Sequence, residues 1–268
     1  MTVFLLKRAA QLVLLSLMVV LVTFLLSSLV PGDYFSARLL DPTVRAETIE
    51  HLRQAHGLND PVYVQYGRWM KNLLRLDLGY SLFYQRPVLA VVADALAKTL
   101  WMGIPALVLG FGIGISLGTF HGMCARGPAG RVLDFLSSVF LSLPSLLLGL
   151  AALLFAAHTG WLPLGGMSSA AGQFDKVWQL AADRMRHLVL PVACLTLPVA
   201  AYVERIQYAA TRGSREALYV RLARARGLSR ARIFLQYFLR PGLNPVLAIA
   251  APMVGGILSG SLVLEVIF

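Results

Sequence analysis

The residues best suited to chemistry lie in a basic segment between Arg212 and Arg240, where arginines crowd around Gly227. Guanidinium forks bind carboxylates, so this cluster can hold an acidic partner, but it does not form a catalytic centre. Apolar sequence of spanning length flanks the segment on both sides, so it must lie outside a bilayer. Short loops rich in arginine stay in the cytoplasm, so the basic segment is predicted to lie on the cytoplasmic side of the membrane. The arginines closest to Gly227 are Arg215, Arg221, Arg224, Arg226, Arg230 and Arg232.

The same segment has the apolar spacing of a short helix. Ser214 can cap the helix, and apolar residues then recur three and four positions apart, with arginines between them. We expect one face to pack and the other to stay charged, with Ala223 and Ala225 small enough for a partner backbone to approach. Gly227 can adopt a left-handed conformation that ends the helix, and a second helix begins near Ser229. The recurring apolar residues are Ala217, Leu218, Leu222 and Ala225.

Two interpretations of the arginines remain open at this point. Composition alone favours an anchor that grips anionic lipid, at about 1 kcal/mol per basic residue near the surface. The alternative is a helix that docks on a separate protein. Exposed ion pairs would then contribute only about 0 to 1 kcal/mol each, so apolar contacts would supply most of the docking strength.

The sequence does not contain the residue patterns of an enzyme. It has no GxxxxGK[ST] phosphate loop, and no paired carboxylates or Ser/His/Asp set in a plausible frame. The five histidines are singles without the spacing of metal ligands. Cys124 lies at the end of one apolar run and Cys194 inside another, so a disulfide is not expected. We predict that this chain binds no cofactor and is not an enzyme.

Composition and charge distribution predict a membrane protein. Of 268 residues, 57% are hydrophobic and 14% are charged, against about 25% charged residues in soluble domains. The net charge of +11 comes from loops between apolar runs, a pattern typical of topology signals. A nucleic-acid-binding face requires a different arrangement of basic residues, so we expect no nucleic acid partner.

Five apolar runs are long enough to cross a hydrocarbon core of about 30 Å, so we predict an all-α, polytopic transmembrane bundle. Lys7 and Arg8 precede the first run, which places the N-terminus in the cytoplasm. Pro144, beside Ser145, interrupts the third run and predicts a kink, or a bend that lines a pathway. Ser259 and Ser261 in the fifth run are further candidates for the pathway wall. The five runs cover about residues 9–30, 99–120, 132–157, 188–210 and 243–264.

The chain divides by composition into residues 1–30, 31–98 and 99–268. The first part is the N-terminal segment with its span. The second is a nearly neutral extracytoplasmic loop region with two expected helices, one over 43–57 that is capped by Thr43 and one after Pro61. The third is the transmembrane core, which contains the cytoplasmic loop 211–242. Glu204, near the inner boundary, is expected to meet the neighbours of Arg205 or the arginine segment.

Several short motifs along the chain resemble one family in order and residue type. They resemble the membrane-spanning permease subunits of binding-protein-dependent ABC importers for dipeptides, oligopeptides and nickel. The chain departs from the family pattern at Leu76, Tyr237, Pro241 and Gly242. The motifs that carry the resemblance are Pro31, Gly32 and Asp33; Gly57, Leu58, Pro61, Gln65, Tyr66 and Trp69; Asp77, Gly79 and Ser81; Pro144 and Ser145; residues 219–228; and Leu239, Arg240, Leu243 and Pro245.

The resemblance implies a type I ABC importer permease fold in the cell inner membrane. Residues 214–232 then form the cytoplasmic coupling helix, which docks on a separate ATPase subunit. The implied partners are a homologous second permease, two ABC ATPase subunits that bind ATP and Mg²⁺, an extracytoplasmic solute-binding protein and the lipid bilayer. Residues 265–268 resemble the start of a segment that leads to a sixth span, which is expected but absent here. The implied coupling residues are Glu216, Leu218, Arg221, Leu222, Ala223, Arg224, Ala225, Arg226, Gly227 and Leu228.

Three alternatives to peptide import remain. The same machinery can import nickel or another small solute, because the apolar and small residues of the spans do not identify a substrate. A secondary transporter normally carries ionisable residues inside its spans, and these spans have almost none. A truncated, non-transporting membrane scaffold agrees with the absence of a sixth span.

Overall fold

The computed structural model describes most of the chain, and the described residues form two compact units, Met1–Asp94 and Ala95–Phe268. Thr43, Glu216 and Ser261 lie outside the described residues, so the roles predicted for them stay predictions. The described residues are 1–32, 35–36, 46–55, 57–124, 127–166, 168–169, 176–215, 217–260 and 262–268.

Helices dominate both units, in agreement with the predicted all-α class. Two short strands, β1 (Tyr80–Ser81) and β2 (Arg86–Pro87), pair as an antiparallel hairpin. A π-helical turn, Phe234–Leu239, joins α9 to α10 without a loop. The helices are α1 Thr2–Leu29, α2 Ala46–Ala55, α3 Val62–Leu74, α4 Val88–Cys124, α5 Pro128–Ser142, α6 Ser145–Thr159, α7 Val177–Arg215, α8 Leu218–Ala225, α9 Arg230–Ile233, α10 Arg240–Gly260 and α11 Leu262–Ile267.

The first unit combines one long apolar helix with two short amphipathic ones. Helix α1 has no buried residue, and its Phe24 ring packs edge-on against Tyr66 of α3 at a centroid distance of 5.2 Å. Helix α2 buries Ile49 and is followed by Gly57, whose φ of 66° confirms the predicted stop. The helix predicted after Pro61 is confirmed as α3.

The second unit is built on the close approach of α4 and α7. Glycines repeat every four residues along one face of α4, and they place its backbone directly against α7. A Cβ atom at Gly118 would lie 2.6 Å from the Glu204 carbonyl oxygen and 3.0 Å from the Tyr208 nitrogen. Small residues of this kind let helices pack within a bilayer, where no hydrophobic force drives them together. The glycines are Gly110, Gly114, Gly118 and Gly122.

The predicted interruption of residues 132–157 at Pro144 is confirmed, but it separates two helices instead of kinking one. The region forms two helices, α5 and α6, whose axes differ by 104°. Leu143 and Pro144 both have extended backbone, with ψ of 123° and 141°. A proline restricts the residue before it to extended conformations, so two consecutive non-helical residues separate the helices.

The described helices agree with a polytopic membrane protein. Four helical runs are long and apolar enough to cross a membrane, and the α5–α6 pair makes five if it is counted as one broken span. The predicted runs at 99–120 and 188–210 lie within α4 and α7. The four runs are Thr2–Leu29, Val88–Cys124, Val177–Ser214 and Arg230–Ile267.

The contact between α4 and α7 predicts a contrast between two glycines of the same helix. Gly118→Ala should destabilise the protein by about 1–3 kcal/mol, because its new methyl group meets backbone atoms that cannot move aside. Gly112→Ala should be neutral or slightly stabilising, because nothing lies within 4 Å of its Cβ position. Thermal unfolding in detergent measures both, and equal midpoints for the two variants would contradict the close approach.

Candidate functional site

The basic segment contains a short helix with a well-defined end. After Arg226, Gly227 has a φ of 73°, the left-handed conformation predicted for it. The Gly227 amide donates to the Arg224 carbonyl at 3.0 Å, and the Leu228 amide donates to the Ala223 carbonyl at 3.2 Å. This pair of bonds is the Schellman motif, which satisfies the free carbonyls at a helix C-terminus. The predicted stop of the helix at Gly227 is therefore confirmed.

The predicted start of this helix is wrong by one turn. Ser214 belongs to the last turn of α7, where its hydroxyl donates to the Ala210 carbonyl at 3.0 Å instead of capping a new helix. Helix α8 begins at Leu218, and Ala217 precedes it with extended backbone. The second predicted helix is confirmed as α9, since the Ser229 hydroxyl accepts the Arg232 amide at 3.3 Å.

One face of α8 packs against the protein's own core. Val220 is fully buried and Ala223 is 3% exposed, and both lie in a cluster with Ile233 and Phe238. Met123, near the end of α4, packs on this cluster. The expectation that Ala223 lets a partner backbone approach is therefore wrong, because its methyl group faces this chain.

The opposite face of α8 is free and apolar. Leu218 is 71% exposed and Leu222 is 49% exposed, and Ala225 continues the same stripe one turn later. Exposed arginines lie close to the stripe along the chain and are called the rim here, and within the described part of the chain no guanidinium group among them has an ion-pair partner. The stripe can bind an apolar surface, and its rim can bind carboxylates. The rim arginines are Arg221, Arg224, Arg226, Arg230 and Arg232.

The predicted pathway residues are only partly described. Pro144 precedes the first turn of α6, and Ser145 begins that helix and is half-buried, so both lie at the break between α5 and α6. Ser259 lies in α10, but its side chain is outside the described part of the structure, as is the whole of Ser261. A role of these four residues in lining a pathway stays a prediction.

A buried polar cluster joins α4, α5 and α7, and the sequence analysis missed it. His121 Nδ1 and Glu204 Oε1 share a hydrogen bond of 2.6 Å, and the Ser137 hydroxyl donates to Glu204 Oε2 at 2.6 Å. His121 is fully buried and Glu204 is 1% exposed, and the Tyr208 ring stacks on the imidazole at 3.9 Å. The expectation that Glu204 meets the arginine segment or neighbours of Arg205 is wrong.

A second set of contacts lies at the edge of this cluster. Arg205 donates to the Asp134 carboxylate at 2.5 Å and to the Ser138 hydroxyl at 2.7 Å. The other carboxylate oxygen of Asp134 lies 3.6 Å from His121 Nε2, which is beyond hydrogen-bonding distance. Among the described residues no group of three or more His, Cys, Asp or Glu side chains has the arrangement of a metal site. The hydrogen bonds of Glu204 join the three helices at this cluster.

Sequence comparison gives matches over nearly the whole chain. Residues 110–268 match the family described as binding-protein-dependent transport system inner membrane component, and residues 1–103 match the N-terminal part described for such membrane components. A probable peptide ABC transporter permease protein, y4tP of Sinorhizobium fredii, is 31% identical over 96% of this chain and 81% of its own length.

Two further relatives have similar coverage. The oligopeptide transport system permease protein OppB of Haemophilus influenzae is 28% identical over 99% of this chain and 82% of its own length. The dipeptide transport system permease protein DppB of Lactococcus lactis is 29% identical over 100% of this chain and 83% of its own length. The similarity therefore extends across both compact units.

The two faces of α8 predict that truncation costs much more stability on the buried face than on the exposed face. Val220→Ala should destabilise the protein by about 1.5 kcal/mol or more, because it removes two fully buried methyl groups from the core under α8. Leu222→Ala should cost less than about 0.5 kcal/mol, because that side chain is exposed. Unfolding of the isolated subunit in detergent measures both, and a larger loss for Leu222→Ala would contradict the assignment of the faces.

Proposed function

Because the chain belongs to the family of binding-protein-dependent transport system inner membrane components, we propose that it is a permease subunit of an ATP-driven peptide importer. Relatives named as peptide, oligopeptide and dipeptide permeases support the choice of peptides as the substrate class. The observation that carries the proposal is helix α8, which is anchored on its own core and presents a free apolar stripe with an arginine rim.

Helix α8 is proposed to be the coupling helix that docks on an ATPase subunit. The exposed side chains of Leu218 and Leu222 supply apolar area, which provides most of the binding free energy. The arginine rim pairs with carboxylates of the ATPase and orients the contact. The buried contacts of Val220 and Ala223 hold the helix to its own chain. A movement of the ATPase is therefore transferred to the membrane helices.

The proposed assembly contains several other subunits. The sequence has no phosphate loop, so hydrolysis takes place on two ABC ATPase subunits, which bind ATP and Mg²⁺. A homologous second permease completes the translocation pathway, and an extracytoplasmic solute-binding protein delivers the peptide. The N-terminus and α8 lie on the cytoplasmic side, in agreement with the basic residues near both.

Transport is proposed to follow an alternating-access mechanism. ATP-driven closure of the ATPases displaces α8, and the membrane helices change between an inward-open and an outward-open arrangement. The break at Pro144 and Ser145 contributes to the pathway, because irregular backbone at membrane depth is tolerated where it lines a cavity. Ser259 and Ser261 are proposed to contribute hydroxyl groups to the same pathway.

Gly227→Val should abolish ATP-driven peptide uptake and leave membrane insertion unchanged. A β-branched residue cannot readily adopt a φ of 73°, so α8 loses its defined end and its orientation. Gly213→Val is the matched control, because Gly213 lies within α7 with open space around it. Uptake into proteoliposomes that contain all the subunits is the measurement. Normal uptake by the Gly227→Val protein would rule out the coupling role.

Leu222→Asp should weaken co-purification with the ATPase subunits by about tenfold, which corresponds to about 1.4 kcal/mol. The substitution places a charge in the apolar stripe without disturbing the core of this chain. Leu74→Asp is the control, since Leu74 is 80% exposed on α3 in the other unit. If the unmodified protein fails to bind any ATPase, the scaffold alternative is favoured over a transporter.

A further inference from the structure

We propose that Glu204, together with His121 and Ser137, is a positioning device that transmits the movement of α8 to helix α5. The inference rests on the proposed function and deepens it, because it names the contact that links the docking helix to the α5–α6 break. Glu204 does not touch the transported peptide in this proposal. It fixes α7 to α4 and α5 at one buried point.

The first step of the link runs from α8 to α4. Val220 and Ala223 of α8 pack in the cluster that Met123 joins from the end of α4. Met123 is two residues beyond His121 on the same helix. A Cβ at Gly122 would lie 2.5 Å from the Thr211 side chain, so α4 and α7 remain in close contact at this level. A displacement of α8 therefore reaches the end of α4 through packed atoms.

The second step runs from α4 to α5 through a carboxylate. Both oxygens of Glu204 are used, one by the His121 imidazole and the other by the Ser137 hydroxyl, each at 2.6 Å. All three side chains are 5% exposed or less, so water cannot replace a lost partner. An unpaired buried carboxylate is strongly unfavourable, which makes the three helices move together at this point.

The third step concerns the orientation of α5. Ser137 holds the helix on the buried side, and Arg205 holds Asp134 and Ser138 at the edge of the same contact. Because α5 is fixed through neighbouring turns, it cannot simply rotate about a single bond. Its far end leads to Leu143 and the 104° break before α6. Movement of the joined helix ends therefore changes the angle at the break.

The test compares three variants in the complete transporter reconstituted with its ATPases, second permease and binding protein. Glu204→Gln removes the negative charge of the carboxylate and replaces one acceptor oxygen by an amide donor, and Ser137→Ala removes one hydroxyl. Ser116→Ala is the control, since that exposed hydroxyl donates to the Gly112 carbonyl of its own helix and bonds to no other helix among the described residues. Assembly, ATP hydrolysis and peptide uptake are measured on the same preparations.

We expect Glu204→Gln and Ser137→Ala to assemble and to hydrolyse ATP at rates near that of the unmodified protein. The number of peptides imported per ATP should fall about fivefold or more, the range of typical coupling between sites. Ser116→Ala should keep the original ratio. In the double variant, Glu204→Gln with Ser137→Ala, the number of peptides imported per ATP should be no lower than in Glu204→Gln alone, because both changes break the same contact.

The inference is overturned if the number of peptides imported per ATP does not change, which includes an equal fall in uptake and hydrolysis. It is also overturned if the two variants fail to assemble. The last result would assign the cluster to folding alone. Failure of the proposed function gives a different result, because the unmodified complex would then show no ATP-dependent uptake. The milder Ser137→Ala change keeps the test decisive if Glu204→Gln does not accumulate in the membrane.

Discussion

The backbone contact between α4 and α7 is the constraint on which the second unit depends. Glycine at every fourth position from Gly110 to Gly122 removes the side chains that would separate the two helices. In a bilayer this proximity is maintained by dispersion and by hydrogen bonds, because lipid is as apolar as the helix surface. The contact sets the distance between His121 and Glu204. A carboxylate can therefore be buried at a site where it would otherwise lack a partner.

The sequence predicts features that depend on nearby residues and misses those that depend on distant ones. The helix stop at Gly227 and the start of a second helix near Ser229 follow from local backbone chemistry, and both are present. His121 and Glu204 are 83 positions apart, and no periodicity connects them. The available signal was an ionisable residue inside a long apolar helix, which in a membrane normally indicates a specific buried partner.

Pro144 and Ala223 show why local rules fail even where the residue type is well understood. A proline in an apolar run predicts a kinked helix. The helix is interrupted completely when the residue before the proline also leaves the helical conformation, as Leu143 does. Small alanines predict a close contact without identifying the partner. Ala223 has such a contact, and the contact is with its own chain, since the tertiary fold decides which face of α8 is covered.

Helix α8 is held along one face and capped at its C-terminal end. Beyond Gly227 the chain passes through α9, a π-helical turn and α10 as one continuous helical run. π-Helical turns of this kind are rare and often occur at functional sites. Phe238 within the turn is buried in the same cluster as Val220. A helix that packs on its own core and exposes an apolar stripe can transmit the displacement of a bound partner to the helices beneath it, whereas an unpacked loop of equal charge would move alone.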